Sequence, residues 1–165
     1  MSDTKLLLLL RHAKSSWDAP ALADHDRPLA ARGRRAAKLI GARLREDRTP
    51  VSLVLCSSAR RAQETVELVA PPGRIETDNR LYGASADELL RRARQVADDV
   101  EAVMLVGHNP AIRELAIELI AGAGEEVVGK FPTGALATLT FTGPWHTLGP
   151  RGTELISFLK PRDLD

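Results

Sequence analysis

Residues 6–10 are five consecutive leucines, and this run constrains the fold more than any other stretch. Together with Lys5 it reads as a short buried strand, since an apolar run without alternation hides both of its faces. It is far too short to cross a bilayer, which takes roughly 20 apolar residues. Arg11, His12 and Lys14 follow at once and no small-residue cleavage site comes after, so the run does not read as a secretory leader. A cation and an imidazole placed directly after such a strand stand at the carboxyl edge of a sheet, where open α/β proteins bind ligands.

Apolar strand-like runs then alternate with stretches of helical period, which predicts an α/β protein. The expected architecture is a three-layer α/β/α fold with a mostly parallel central sheet and an antiparallel C-terminal edge strand. Strands are expected at 51–55, weakly at 74–77, at 102–106, at 135–141 and at 154–159. Ala36, Leu39, Ile40 and Leu44 repeat at helical spacing, residues 59–69 form a second helix, and Leu89, Leu90, Ala93, Val96, Ala97 and Val100 mark a third. Pro110 opens a fourth, at a position where proline is tolerated, and residues 121–124 end it. Gly143-Pro144 and Gly149-Pro150 are turn signals between the last two strands. With 165 residues, no repeat and no linker, the chain is expected to be a single domain over 1–165.

Composition excludes several classes. The net charge of +1 does not suit a general polyanion binder, and the single cysteine, Cys56, rules out an internal disulfide. One cysteine fits a reducing compartment, so a cytoplasmic location is expected. The arginine-rich stretch 32–48 alternates with core positions and has few aromatics. It reads as a solvated helix face rather than a nucleic-acid surface. The sequence carries no clear oligomer signal, and a monomer is expected, with neither nucleic acid nor membrane as partner.

Four residues carry the chemistry. Arg11 and His12 follow the first strand, Arg61 lies just after the second, and His108 follows the fourth in Gly107-His108-Asn109-Pro110. In a parallel sheet those strand ends share one edge. Guanidiniums grip phosphoryl oxygens in a planar fork and stay charged at any working pH. A neutral imidazole can attack phosphorus, and neighbouring arginines help to keep it neutral. The other imidazole, if protonated, would stabilise the equatorial oxygens. The set suggests phosphoryl transfer with no metal and no cofactor.

These motifs resemble those of the histidine phosphatase superfamily, also called phosphoglycerate-mutase-like. Arg11-His12-Ala13 is similar to its Arg-His-Gly signature, the segment 57–65 to its second-arginine motif, and Gly107-His108-Asn109-Pro110 to its Gly-His segment. The fuller pattern resembles the SixA-type phosphohistidine phosphatases. It comprises Arg-His-Ala-Lys-Ser-Ser-Trp from Arg11, Asp26-Arg27-Pro28-Leu29 with Arg32-Gly33, Leu81-Tyr82 with Ala84, and the Gly107 segment. The resemblance implies a phosphoglycerate-mutase-like fold, His12 as the phosphorylated nucleophile, and a phosphate pocket of Arg11, Arg61 and His108. Ser16, Asp18 and Asn109 are further candidates for substrate contact. The implied substrate is a protein bearing phosphohistidine. A general phosphomonoesterase for small molecules and a non-catalytic phosphate-binding module are the alternatives.

Three departures bear on the site and its substrate. Many members carry a glutamate acid in the stretch 80–86, which here holds no carboxylate before Asp87. Phosphohistidine needs a proton donor less than an alkyl phosphate does, because its imidazole can leave as a neutral molecule. Larger relatives insert a lid after Leu81, whereas here Leu89 already belongs to a helical stripe. An unlidded pocket suits a phosphate presented on a protein surface. Asp18 stands where relatives often have a phosphate-contacting Asn. An ionised Asp18 would repel phosphate, so it is either turned away or protonated.

Other residues admit two readings each. The Asp24-His25-Asp26-Arg27 cluster lines the mouth of the site or forms a helix-capping turn. His25 and His146 read as surface or turn residues, and Cys56 as a small buried strand residue. Trp17 packs over the pocket or anchors its loop, and Trp145 plugs the end of the sheet. Ser57 and Ser58 contact phosphate or cap the helix that carries Arg61.

Overall fold

The computed structural model describes residues 3–165. The main elements are β1 (Thr4–Arg11), α1 (Ala31–Glu46), β2 (Leu53–Ser57), α2 (Arg60–Val69), β3 (Arg74–Asp78) and α3 (Ala86–Arg94). They continue through β4 (Ala102–Gly107), α4 (Ala111–Leu119), α5 (Gly124–Val128), β5 (Leu136–Thr142) and β6 (Glu154–Leu159). The strands form one sheet in the order β3-β2-β4-β1-β5-β6. β1, β2, β3 and β4 are mutually parallel, β5 runs antiparallel to β1, and β6 closes that edge antiparallel to β5. This is the α/β architecture read from the sequence.

The leucine run explains why the sheet has helices on both faces. Leu7 to Leu10 are wholly buried, and successive side chains point to opposite faces. Leu8 and Leu10 join Val54, Cys56, Met104 and Val106 under α1 and α2. Leu7 and Leu9 join Leu53, Leu55, Val103 and Leu105 under α3 and α4. One strand therefore seeds both cores, and a polar substitution at any of residues 7–10 would put an unpartnered group in one of them.

Two differences from the sequence reading have physical causes. β2 is displaced toward its carboxyl end and finishes at Ser57 rather than at residue 55. Ser57 is fully buried but its hydroxyl is hydrogen-bonded, so it costs the strand little. α3 stops at Arg94, well before Val100. There the chain is pulled into tertiary contacts: Lys5 Nζ donates to the Asp98 carbonyl (2.7 Å) and the Trp145 indole N–H to the Val100 carbonyl (2.7 Å). Val96 is buried all the same. α4 ends at Leu119, just before the stretch 121–124, and the short α5 begins at Gly124. Trp145 is fully buried and packs edge-on against Phe141. Among the described residues no helix is long and apolar enough to cross a membrane.

Candidate active site

Parallel register brings the strand ends together. Arg11 pairs with Gly107 and Cys56 with Val106, so the residues after β1, β2 and β4 emerge at one edge. The loop after β1 is held from several sides. The His12 N–H donates to the Gly107 carbonyl (3.1 Å), and the Gly134 N–H reaches the carbonyls of both Arg11 and His12 (3.1 and 3.0 Å). Gly134 sits at φ +78°, which favours glycine, and an added Cβ would lie 2.9 Å from Pro161. Thr65 of α2 accepts from the Ala13 N–H (3.0 Å) and donates to the Arg61 carbonyl (2.7 Å). One hydroxyl thus ties the His12 loop to the helix that carries Arg61.

His12 is 7% exposed. Its Nδ1 lies 2.7 Å from the Ala13 carbonyl, which can only accept, so Nδ1 carries the proton and Nε2 the lone pair. That Nε2 faces Arg61 Nε at 3.4 Å. Burial pushes the His12 ring down to about 3, with the charges of His108, Arg61 and Arg11 adding to the effect and the Ala13 hydrogen bond opposing it. The ring is therefore neutral at pH 7 and its lone pair is directed into the site.

His108 stands with its ring centre 5.1 Å from that of His12. Its Nε2 pairs with Ser57 Oγ (2.7 Å) and its Nδ1 lies 3.5 Å from Arg61 Nη2. Burial, then the Arg61 charge, lowers it to about 4, while Asp24 acts in the opposite direction. A protonated His108 is thus not the resting form. The charge of a bound phosphate would favour protonation.

Arg61 is buried and fixed by Asp24: Nη1 donates to the Asp24 carbonyl (2.8 Å) and Nη2 to Oδ2 (3.0 Å). The same carboxylate accepts from the Tyr82 hydroxyl and from Arg27 Nη2 (3.1 Å). The Tyr82 bond, with help from Arg61 and Arg27, holds the Asp24 carboxyl at about 2 against the opposing effect of burial. Arg27 donates in turn to Ser15 Oγ (2.8 Å), and its guanidinium lies 3.5 Å from the centre of the exposed Trp17 ring. Trp17 therefore anchors the loop through Arg27.

Arg11 donates through Nη1 to the Phe131 carbonyl (3.0 Å), and Asn109 Nδ2 reaches the same oxygen (2.9 Å). Arg11 Nε and Asn109 Oδ1 are buried with no hydrogen-bond partner among the described residues. Burial lowers the Arg11 guanidinium from its usual value. Ser16 lies at the turn: its hydroxyl accepts from the Asp18 N–H (3.1 Å) and its carbonyl from Arg27 (3.3 Å). Asp18 is exposed, and no hydrogen bond or ion pair joins its side chain to the four central residues.

Sequence reasoning did not assign Asp24, Tyr82 or Ser57 to the central set. Asp24–Asp26 form a short 3-10 turn at the mouth rather than a cap for α1. Ser57 holds His108, and Ser58 Oγ holds His25 Nε2 (2.8 Å); neither is the N-cap of α2, which is Ala59. His25 and His108 both stand edge-on to Tyr82, with ring centres 4.7 and 5.6 Å away. Among the described residues no group of three or more His, Cys, Asp or Glu is arranged to hold a metal ion. Cys56 is buried and its thiol is pushed up to about 12, so it is no nucleophile.

Residues 7–84 match the sequence profile of the histidine phosphatase superfamily, branch 1. An uncharacterized protein of Mycobacterium tuberculosis is 38% identical over 159 residues, covering 93% of this chain and all of that one. A provisionally assigned phosphohistidine phosphatase SixA from Nakamurella multipartitia superposes with a TM-score of 0.88 at 34% identity, over 96% of each chain. The protein histidine phosphatase SixA complexed with tungstate shares the fold (TM-score 0.81, 23% identity, 97% of this chain and 99% of that one).

Proposed function

Because the chain belongs to the histidine phosphatase superfamily, we propose that it is a phosphatase that removes phosphate from phosphohistidine on proteins, through a phosphoenzyme formed on His12. One observation carries the proposal. His12 Nδ1–H is tied to the Ala13 carbonyl while Nε2, kept unprotonated by burial and flanking cations, faces Arg61. That is the arrangement of a nitrogen nucleophile aimed at an anion.

In the first step a bond forms between His12 Nε2 and phosphorus, and the substrate P–N bond breaks. Its electron pair stays on the substrate imidazole, which leaves neutral once its other nitrogen has taken a proton from solvent. Arg61 and the unpartnered Arg11 Nε supply donors for the phosphoryl oxygens as charge redistributes. His108, lowered to about 4 in the free protein, takes up a proton more readily beside the dianion. In the second step water attacks phosphorus and the P–Nε2 bond breaks. His12 leaves as a neutral ring, since Nδ1 has kept its proton on the Ala13 carbonyl throughout. The water proton passes to the phosphate or to solvent.

The nature of the leaving group supports a phosphoramidate over an alkyl ester. An alkoxide must be protonated as it departs. Asp24, the carboxylate bonded to Arg61, is held ionised at about 2 and is no proton donor at neutral pH. The stretch 80–86 supplies no carboxylate in its place. The short run from Tyr82 to α3 leaves no lid, so the site is read as open to a phosphate on a protein surface, within a single domain.

The test compares kcat/KM for a phosphohistidine peptide and for sugar phosphates, with His12→Ala as control. Preference for the phosphopeptide, lost with His12, is expected. Preference for sugar phosphates would assign the site to small phosphomonoesters, and full activity of His12→Ala would remove the mechanism.

A further inference from the structure

A second feature lies at the same sheet edge, on the β5–β6 side of the nucleophile. Lys14, Arg32, Arg35, Lys160 and Arg162 line a cavity of about 460 Å³ beside the start of α1. Asp165 is the one acid in that lining, and Lys160 and Arg162 each lie 3.9 Å from Asp163. Lys14, Arg32 and Arg35 have no hydrogen-bond or ion-pair partner for their side chains among the described residues. The cavity is built from the segments that hold His12. The Lys14 carbonyl accepts from the Ala30 N–H (2.9 Å), and Thr133 directly precedes Gly134, which grips the Arg11 and His12 carbonyls.

The charges work against the fold where they stand. The first turn of α1 carries Arg32 and no acidic residue. Cations at a helix N-terminus oppose the helix dipole, and clustered like charges repel. Among the described residues no ion pair or hydrogen bond offsets this at Arg32, Arg35 and Lys14, and Asp165 is a single carboxylate against five cations, so an external anion would relieve the repulsion. The catalytic contacts described above address a phosphoryl group and nothing of the molecule that bears it. Selection among phosphohistidine proteins therefore requires a surface outside the pocket.

We propose that this basic trough docks an acidic segment of the substrate protein, a stretch of clustered Asp or Glu side chains near its phosphorylated histidine. The proposal rests on the phosphohistidine-protein reading of the site. Nucleic acid fits the trough less well, since its floor is Ala36, Leu39 and prolines, and no aromatic lines it for bases to stack on. Five cations around a shallow aliphatic floor suit carboxylates carried on a polypeptide, whose charge complementarity steers encounter and fixes register.

The test uses two fluorescent peptides with one histidine each, identical except that one has glutamates where the other has glutamines. Both are used unphosphorylated, for anisotropy, and chemically phosphorylated, for kinetics. The variant is R32E/R35E. Glutamate at the start of a helix is favoured by its dipole, so α1 should keep its fold. Wild type is expected to prefer the glutamate peptide by about tenfold or more at low salt, in binding and in kcat/KM. The preference should vanish in about 1 M salt, where screening acts within roughly 3 Å. R32E/R35E should lose it through KM, with hydrolysis of free phosphoramidate unchanged.

Equal use of the two peptides by wild type, with both hydrolysed, would overturn the docking proposal and leave the phosphohistidine reading intact. So would a preference that survives R32E/R35E. Binding of the unphosphorylated glutamate peptide through Arg32 and Arg35, with neither phosphopeptide hydrolysed, would uphold the acidic-segment site while removing the activity. Tighter binding of a single-stranded oligonucleotide of equal charge would reassign the trough and overturn the proposal.

Discussion

The neutrality of His12 has a thermodynamic signature that can be read without any substrate. The perturbation is a fall in pH from 7 to 5. In the unfolded chain the ring titrates near 6.5, whereas in the folded protein it stays unprotonated down to about 3. As pH falls through 6.5 the unfolded state takes up a proton that the folded state refuses, so stability drops, and the loss is complete only near pH 3. At pH 5 the unfolded ring is about 97% protonated and the folded ring almost not at all. The difference amounts to about 2 kcal/mol from this one group. For a chain of this length that is a fall in Tm of about 4–8 °C. The assay is urea unfolding of wild type and His12→Asn at both pH values. All other groups titrate in both proteins, so the difference between the two pH dependences isolates His12. The wild type should lose about 2 kcal/mol more than the variant between pH 7 and 5. Parallel losses would mean that the ring titrates normally, and the argument from burial and flanking cations would fail.

Other perturbations test the supports of the site. Ser57→Ala leaves the buried Ala59 N–H and His108 Nε2 without their hydroxyl partner, and should cost about 1–3 kcal/mol in denaturant unfolding together with a fall in kcat. Tyr82→Phe removes the largest influence on Asp24, so carbon-detected NMR should show that carboxyl titrating upward from about 2 toward its ordinary value, with an intact fold. Gly33→Ala would set a Cβ 2.1 Å from the Lys14 carbonyl oxygen, a backbone clash that must displace the His12 loop. Its expected cost is about 1–3 kcal/mol or more, seen as a lower Tm, with lost activity at temperatures where the variant remains folded.

The sheet was legible because its signal is local. A run of leucines has both faces apolar and has to lie between two helical layers, and the strands after it repeat the theme. Convergence of Arg11, His12, Arg61 and His108 at one edge follows from parallel strands once β1, β2 and β4 are placed. The network around them was less legible, because its links are long in sequence. Asp24 meets Arg61 and Tyr82 across 37 and 58 positions, and no periodicity reports such a contact. Ser57 could not be told from a cap, since its partner His108 lies 51 residues away. The early end of α3 has the same origin, in bonds from Lys5 and Trp145 to residues 98–100. The arginines of α1 read as a solvated face because amphipathic spacing says which side is wet, not what the wet side meets. Arg43 pairs with Asp47 as that reading expects, while Arg32 and Arg35 open onto the trough.

The central claim is that phosphate passes through Nε2 of His12. The direct measurement is rapid quench with a phosphoramidate donor, followed by base hydrolysis and 31P NMR of the recovered phosphohistidine. The account requires acid-labile, base-stable phosphate on His12 of the wild type, attached at Nε2, and none on His12→Ala. Phosphate attached at Nδ1 or on another residue, or sustained turnover by His12→Ala, would contradict it.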